Sequence, residues 1–315
     1  MLIRLPGGKR YMHRGYGISE RRVCEQSDAI CPITVYVNPD EDEKRYLIDV
    51  LKVDEHTLNS ALDPDEPSRL EFEPEHAAII FKMPKNQVEK DELLFKVASL
   101  GVFLFKDRLV IIISEEIPLF EHKQLSKVLS INDLMLKLFY RSIFRFLENL
   151  KVMNTLSDEI EDKINVSMEN RYLINLFTLE KSMVYYLNAI NSNGVLLEKL
   201  RNNAAKIGFL KEESELLDDI IVENTQCYRQ AEIYSNILAS LMDARVSIVS
   251  NNLNILMKTL TIITICIMAP TLVVSMFSMN VHIPLEDHPV AFWIIIGLAF
   301  IAGAGFLLFW KYKKW

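Results

Sequence analysis

The sequence predicts a mixed α/β domain, then a run of long helices, then two membrane-spanning helices. Three observations carry this reading. Residues 259–285 and 289–310 contain no Asp, Glu, Lys or Arg. No proline falls between Pro118 and Pro270, and only Gly194 and Gly208 interrupt that stretch. Before residue 125, short segments rich in Val, Ile and Phe and bounded by Pro, Asp and Lys alternate with helical ones.

The first domain, residues 1–125, is expected to place strands over 31–39, 76–84, 101–107 and 108–114, with helices over 42–53 and 54–63. A helical stalk region follows over 126–258. Apolar residues recur at helical spacing through 134–164 and 173–190. From about Glu213 to Phe277 nothing but Pro270 interrupts the pattern, which predicts one helix of roughly 100 Å. The first span is placed at 259–278, a connecting loop at 279–289, the second span at 290–310 and a basic tail at 311–315. Each apolar run exceeds the roughly 20 residues needed to cross a bilayer core.

Half of the 315 residues are hydrophobic and 24% are charged. Beyond residue 250 the only acids are Glu286 and Asp287, and the only bases are Lys258, Lys311, Lys313 and Lys314. Residues 1–250 therefore hold 40 acids against 31 bases, a net charge of −9. Such a balance argues against nucleic-acid binding, which needs cationic surface, and is compatible with cation binding. Cys24, Cys31, Cys227 and Cys266 fit neither a zinc site nor a disulfide framework. The first ten residues lack the apolar core of a signal peptide.

Lysines flank the outer ends of the two spans and none lies between them, so both termini are expected in the cytoplasm and the loop outside. Trp293, Trp310, Tyr312 and Trp315 sit near span ends as interfacial anchors do. In the first span Asn254, Met257, Thr261, Thr264, Met268, Thr271, Ser275 and Ser278 recur at alternating steps of three and four, one face of a helix. Taken alone, this polar and thioether stripe fits helix packing or the lining of a pore equally well. The second span carries "GLAFIAGAG", whose small residues suit close packing. Two helices do not enclose an aqueous pore, so a lining role requires several copies of the chain.

Acids concentrate in 63–67, 157–164 and 211–220. Each run by itself reads as a solvated face or turn. The functional reading is that carboxylates of neighbouring subunits converge on a hard divalent cation.

The segment "NILMKTLTIITICIMAPTLVVSMFSMNVHIP" (254–284), with Met-Lys before the span and a proline midway, resembles the stalk-to-pore segment of the CorA-type metal ion transporter family. "KYKKW" is similar to the family's basic end, and the layout agrees over the whole chain. The family's Gly-Met-Asn signature appears here as Ser278-Met279-Asn280, with Phe277 where tyrosine is usual. The resemblance implies a CorA-like homopentameric funnel in the plasma membrane, a divalent-cation channel and not an enzyme, with no organic cofactor and no nucleic-acid partner. Mg2+ is the implied cargo and regulatory ion, with Co2+ or Ni2+ as further cargoes.

The same resemblance implies a selectivity ring at Ser278, Met279 and Asn280, and a pore lined by Asn254, Met257, Leu260, Thr261, Thr264, Met268, Thr271 and Ser275. Asp219 falls at the family's sensing carboxylate on the stalk, with Asp63 and Asp65 as its candidate partners. Glu286 and Asp287 are candidates for concentrating cations at the outer mouth. Two alternatives stay open: a zinc transporter of the same superfamily, which the Ser278 departure keeps alive, and a membrane-anchored sensor or enzyme. No catalytic constellation is evident among His13, His56, His76 and His122 or around the cysteines.

Overall fold

The computed structural model describes residues 13–19, 21–26, 31–85, 93–120, 127–166, 170–279 and 289–313. The chain divides into two compact units, Met1–Met242 and Asp243–Trp315.

The first unit is built on a seven-stranded mixed sheet. Its strands are β1 (His13–Ser19), β2 (Arg22–Gln26), β3 (Ile33–Val37), β4 (Arg69–Phe72), β5 (His76–Pro84), β6 (Val97–Phe105) and β7 (Leu109–Ile113). The spatial order is β2-β1-β3-β7-β6-β5-β4, and only β3 and β7 run parallel. The helices are α1 (Glu41–Asp49), α2 (Glu55–Leu62), α3 (Ile131–Val166), α4 (Asn170–Asn202) and the short α5 (Ala204–Ile207). The 67-residue α6 (Lys211–Phe277) begins in this unit, and α7 (Ala291–Lys313) belongs to the second.

Every residue of β5 and β7 is buried, because helices cover both faces of the sheet. On one face Leu47, Leu51, Val53, Leu58 and Ala61 meet Ala78, Phe103, Val110 and Ile112. On the other, Ile79, Phe81, Leu100 and Ile111 join α3, α4 and the start of α6 through Phe139, Phe146, Tyr186, Leu217 and Cys227. Gly101 is needed where α2 crosses β6, since a Cβ there would lie 2.5 Å from Ala61 Cβ. Burial of Cys227 pushes its thiol up to about 12, so this cysteine is packing and not a reactive group.

Caps explain the helix starts. Asp40 accepts from the Glu43 amide while the Glu43 carboxylate accepts from the Asp40 amide, a reciprocal box at α1. Asp54 caps α2, and the hydrogen bond from the Thr57 amide holds its carboxyl below the usual range. Buried Glu213 joins two helix starts. One oxygen accepts from Ser130 Oγ at 2.5 Å beside α3, and the other accepts from the Leu210 amide at 2.8 Å beside α6. One acid of the 211–220 run is thus a cap.

Asn193, fully buried in α4, clamps the middle of β5. Its Oδ1 accepts from the Lys82 amide (2.8 Å) and from Ser68 Oγ (2.7 Å), and its Nδ2 donates to the Lys82 carbonyl (2.9 Å).

His76 is buried against Phe103 and Phe105, and neither ring nitrogen has a hydrogen-bond partner. Burial lowers its pKa below the ordinary 6.5. The unfolded chain therefore takes up this proton first as pH falls. The stability His76 confers is complete above about pH 6.5 and is lost as pH drops below that value. Denaturant midpoints of wild type and His76→Phe at pH 7.5 and 5.5 are expected to differ in slope, with the wild type falling more steeply.

Sequence and structure agree on 76–84 and, to within two residues at each end, on 31–39. The expected strand at 101–107 lies at Val97–Phe105 and that at 108–114 at Leu109–Ile113. The hairpin turns at Asp107, as the break between those two expectations implied. Strands β1, β2 and β4 were not anticipated. β1 carries Gly15 and Gly17, and β2 and the four-residue β4 carry charges that hide a strand pattern.

Candidate pore face and metal-sensing residues

Among the described residues α6 and α7 are the two helices long and apolar enough to cross a membrane. The face of α6 that is partly covered runs through Ile262, Ile265, Cys266, Ala269, Pro270, Val273 and Phe277. On α7 Ala299 is buried, and Ile295, Ile296, Ala302, Gly303 and Phe306 are half-buried. A Cβ on Gly303 would meet Pro270 Cγ at 3.2 Å, whereas at Gly297 and Gly305 nothing lies within 4 Å. Gly303 is therefore the close approach, against the ring that also removes the α6 hydrogen bond to the Cys266 carbonyl. Gly303→Leu is expected to destabilise the helix pair by about 1–3 kcal/mol through overpacking. Gly305→Leu should be silent, and thermal unfolding of both variants in detergent makes the comparison.

The stripe lies on the other side. Asn254, Met257, Thr261, Thr264, Met268, Thr271, Ser275 and Ser278 are all exposed within the chain, Met257 at 67% and Met268 at 61%. At about 100° per residue this face is centred on the order of 180° from the one α7 covers. Leu260 is equally open and stands one turn before Thr264. The hydroxyls of Thr261, Thr264 and Thr271 donate to the carbonyls of Met257, Leu260 and Ile267, at 2.8, 2.9 and 2.7 Å. Each hydroxyl spends its proton on its own helix and presents lone pairs outward, the polarity that suits a cation.

Ser278 closes the last turn of α6. Its amide and its hydroxyl both donate to the Ser275 carbonyl, at 3.2 and 3.0 Å. Among the described residues, non-glycine positive φ occurs at Arg21, Asn38 and Lys52 and not at Ser278. Serine holds this turn without the left-handed angle that would favour glycine. Asn280, Glu286 and Asp287 lie outside the described residues.

The structure does not gather the candidate sensing residues within one chain. Asp219 is exposed on α6, beside the buried positions Leu217 and Ile220. Asp63 ends α2 and, with Asp65, forms an exposed turn in which the Asp65 amide donates to Asp63 Oδ1 at 2.9 Å. Among the described residues no group of three or more His, Cys, Asp or Glu side chains is placed to hold a metal. The free cysteines are scattered over both units.

An α/β unit whose last helix continues into an apolar span, a second span packed behind the first and an open polar face on the first define a two-span membrane transport protein. Residues 34–314 match the family described as CorA-like Mg2+ transporter protein, and the chain belongs to that family. Its members transport divalent cations and are not enzymes. The cobalt/magnesium transport protein CorA of Methanocaldococcus jannaschii is 25% identical over 291 residues, 88% of this chain and 89% of that protein. The complete structure of the CorA magnesium transporter from the same organism is similar at a TM-score of 0.79 and 22% identity, covering 95% of this chain and 97% of that one. The ZntB cytoplasmic domain of Vibrio parahaemolyticus is similar at a TM-score of 0.61 and 13% identity, over 77% of this chain and 99% of that domain. The likeness to that domain is one of fold.

Proposed function

We propose that the chain is a passive, gated channel for Mg2+, carrying Co2+ or Ni2+ as well, that works as a homopentamer in the plasma membrane. The observation that carries this reading is the stripe on α6, polar and open opposite the face that α7 covers. Five such faces around an axis make a wall of hydroxyl oxygens, thioethers and one ring of carboxamides at Asn254. Both termini are cytoplasmic, and the outer mouth is the Ser278-Met279-Asn280 segment. Mg2+ gives up its water reluctantly, and a carboxamide ring accepts hydrogen bonds from bound water without stripping it. It also avoids the grip of a carboxylate ring, which lets the ion leave. Glu286 and Asp287 raise the local cation concentration outside.

Intracellular divalent cations close the channel by bridging Asp219 of one subunit to Asp63 or Asp65 of the next. Loss of the cation leaves like charges facing each other and loosens the assembly. With Asp219→Asn, closure is expected to need several-fold more internal Mg2+, read as flux into liposomes loaded with graded Mg2+.

The test of the whole reading is flux into proteoliposomes with Mg2+, Co2+ or Zn2+ outside, with and without a pH gradient. Mg2+ entry that follows the membrane potential and ignores the pH gradient is expected. Flux dominated by Zn2+ and coupled to protons would overturn it in favour of a zinc transporter, the alternative that Ser278 in the signature supports.

A further inference from the structure

A cavity of about 400 Å³ opens on the α/β unit, between the end of β5, the start of β6 and α4. Among the described residues its wall carries Lys82, Lys85, Lys96 and Lys181, with Asp65 as the one acid. Residues 1–250 have a net charge of −9, so a basic concavity here runs against the background. Lys85 is shared with Glu115, 3.4 Å away. Lys96 and Lys181 are exposed, and Lys181 Nζ stands 5.8 Å from the ring centre of Tyr185, itself 44% exposed.

The floor is built and held. Asn193 fixes the Lys82 peptide from both sides, and Ser68 Oγ bonds both Asn193 and Ser192 Oγ. Lys82 is only 3% exposed, and its ammonium donates to the Pro64 carbonyl and Ser99 Oγ at 2.8 Å and to the Asp63 carbonyl at 3.4 Å. All three are neutral acceptors. Burial lowers its pKa to about 8. The carboxylates of Asp63, Asp65 and Glu66 also favour its charged form, so a cation is kept at the floor of the pocket.

We infer that this pocket binds a small molecule carrying a phosphate group and a planar ring, the chemistry of a mononucleotide. Lysine serves phosphate as a point charge, and the volume is that of a small-ligand site. The exposed tyrosine supplies a stacking face for a base. The acidic surroundings disfavour a nucleic-acid strand. The inference rests on the α/β unit alone and stands apart from the reading of the pore.

The experiment is calorimetric titration of the full-length protein in detergent and EDTA with AMP, ATP, adenosine and inorganic phosphate. AMP and ATP are expected to bind with Kd of about 1 mM or tighter, and adenosine and inorganic phosphate about tenfold more weakly. Lys96→Glu combined with Lys181→Glu should weaken AMP by about tenfold or more while leaving the ligand-free thermal midpoint in place. Should the double variant lower that midpoint, Lys181→Glu alone, on an exposed helix face, decides the point. Tyr185→Ala should bring AMP down to the affinity of inorganic phosphate. Absence of saturable AMP and ATP binding overturns the proposal, as does binding that survives the charge reversals. Equal affinity of the wild type for AMP and inorganic phosphate removes the ring seat and with it the proposal.

Discussion

Replacing Asn280 with alanine is expected to leave the protein in the membrane at its normal level and to cut divalent-cation flux by about tenfold or more. Each side-chain oxygen in the proposed ring contributes one hydrogen bond to the hydrated ion, worth about 1 kcal/mol, and five are lost together. A loss of about 1.4 kcal/mol already costs a factor of ten. Growth in low Mg2+ and isotope uptake into liposomes measure the effect. Flux at the wild-type rate would remove the central reason for placing the ion path at this segment. Ser278→Gly is the companion: it restores the family signature at a position whose backbone is not left-handed. It is expected to alter the ranking among Mg2+, Co2+ and Zn2+ with smaller loss of total flux.

The largest effect on stability is expected at Asn193. Asn193→Leu keeps the volume but strips partners from the Lys82 amide, the Lys82 carbonyl and Ser68 Oγ. Leaving buried polar groups unpaired costs about 1–3 kcal/mol each, and partial relaxation brings the sum to about 2–4 kcal/mol. For a unit of this size the thermal midpoint should fall by about 5–15 °C. Asn193→Asp is expected to destabilise as well, because it sets a carboxylate oxygen against the Lys82 carbonyl and adds a buried charge. A midpoint unchanged in Asn193→Leu would mean that water replaces the clamp.

The helical half of the chain was legible because its signals are local. The absence of breakers from Pro118 to Pro270 fixed long helices, and α6 starts two residues before the expected Glu213 and ends at Phe277 as expected. Gly194 lies within α4 without ending it, and Gly208, at positive φ, follows α5. The sheet was harder to read. β5 and β7 are buried on both faces and read as plain apolar runs, while β1 and β2 form the far edge, where glycine and charge are tolerated. The stripe was visible as a periodicity, and only the position of α7 distinguishes the face it leaves open. The acidic runs were the least informative, since a run of acids does not reveal which member turns inward: Glu213 caps α6 and holds the Ser130 hydroxyl that caps α3, while Asp219 stays on the surface. The lysines around the β5–β6 pocket are spread over about a hundred residues, and no local pattern joins them.

The threonines of the stripe are pinned, each hydroxyl tied to the carbonyl one turn back. The methionines at 257 and 268 are not, for a thioether has three rotatable bonds and no strong partner to seek. The stripe is thus a ladder of stiff and pliable rungs. In the proposed pore the width at Met257 and Met268 would follow side-chain rotamers, on the nanosecond scale, without any displacement of α6. On that proposal, slow rearrangement of the subunits and fast flickering at the methionine rungs would be separate gates. Oxidation to the sulfoxide, which makes a soft apolar rung polar, acts on the second alone.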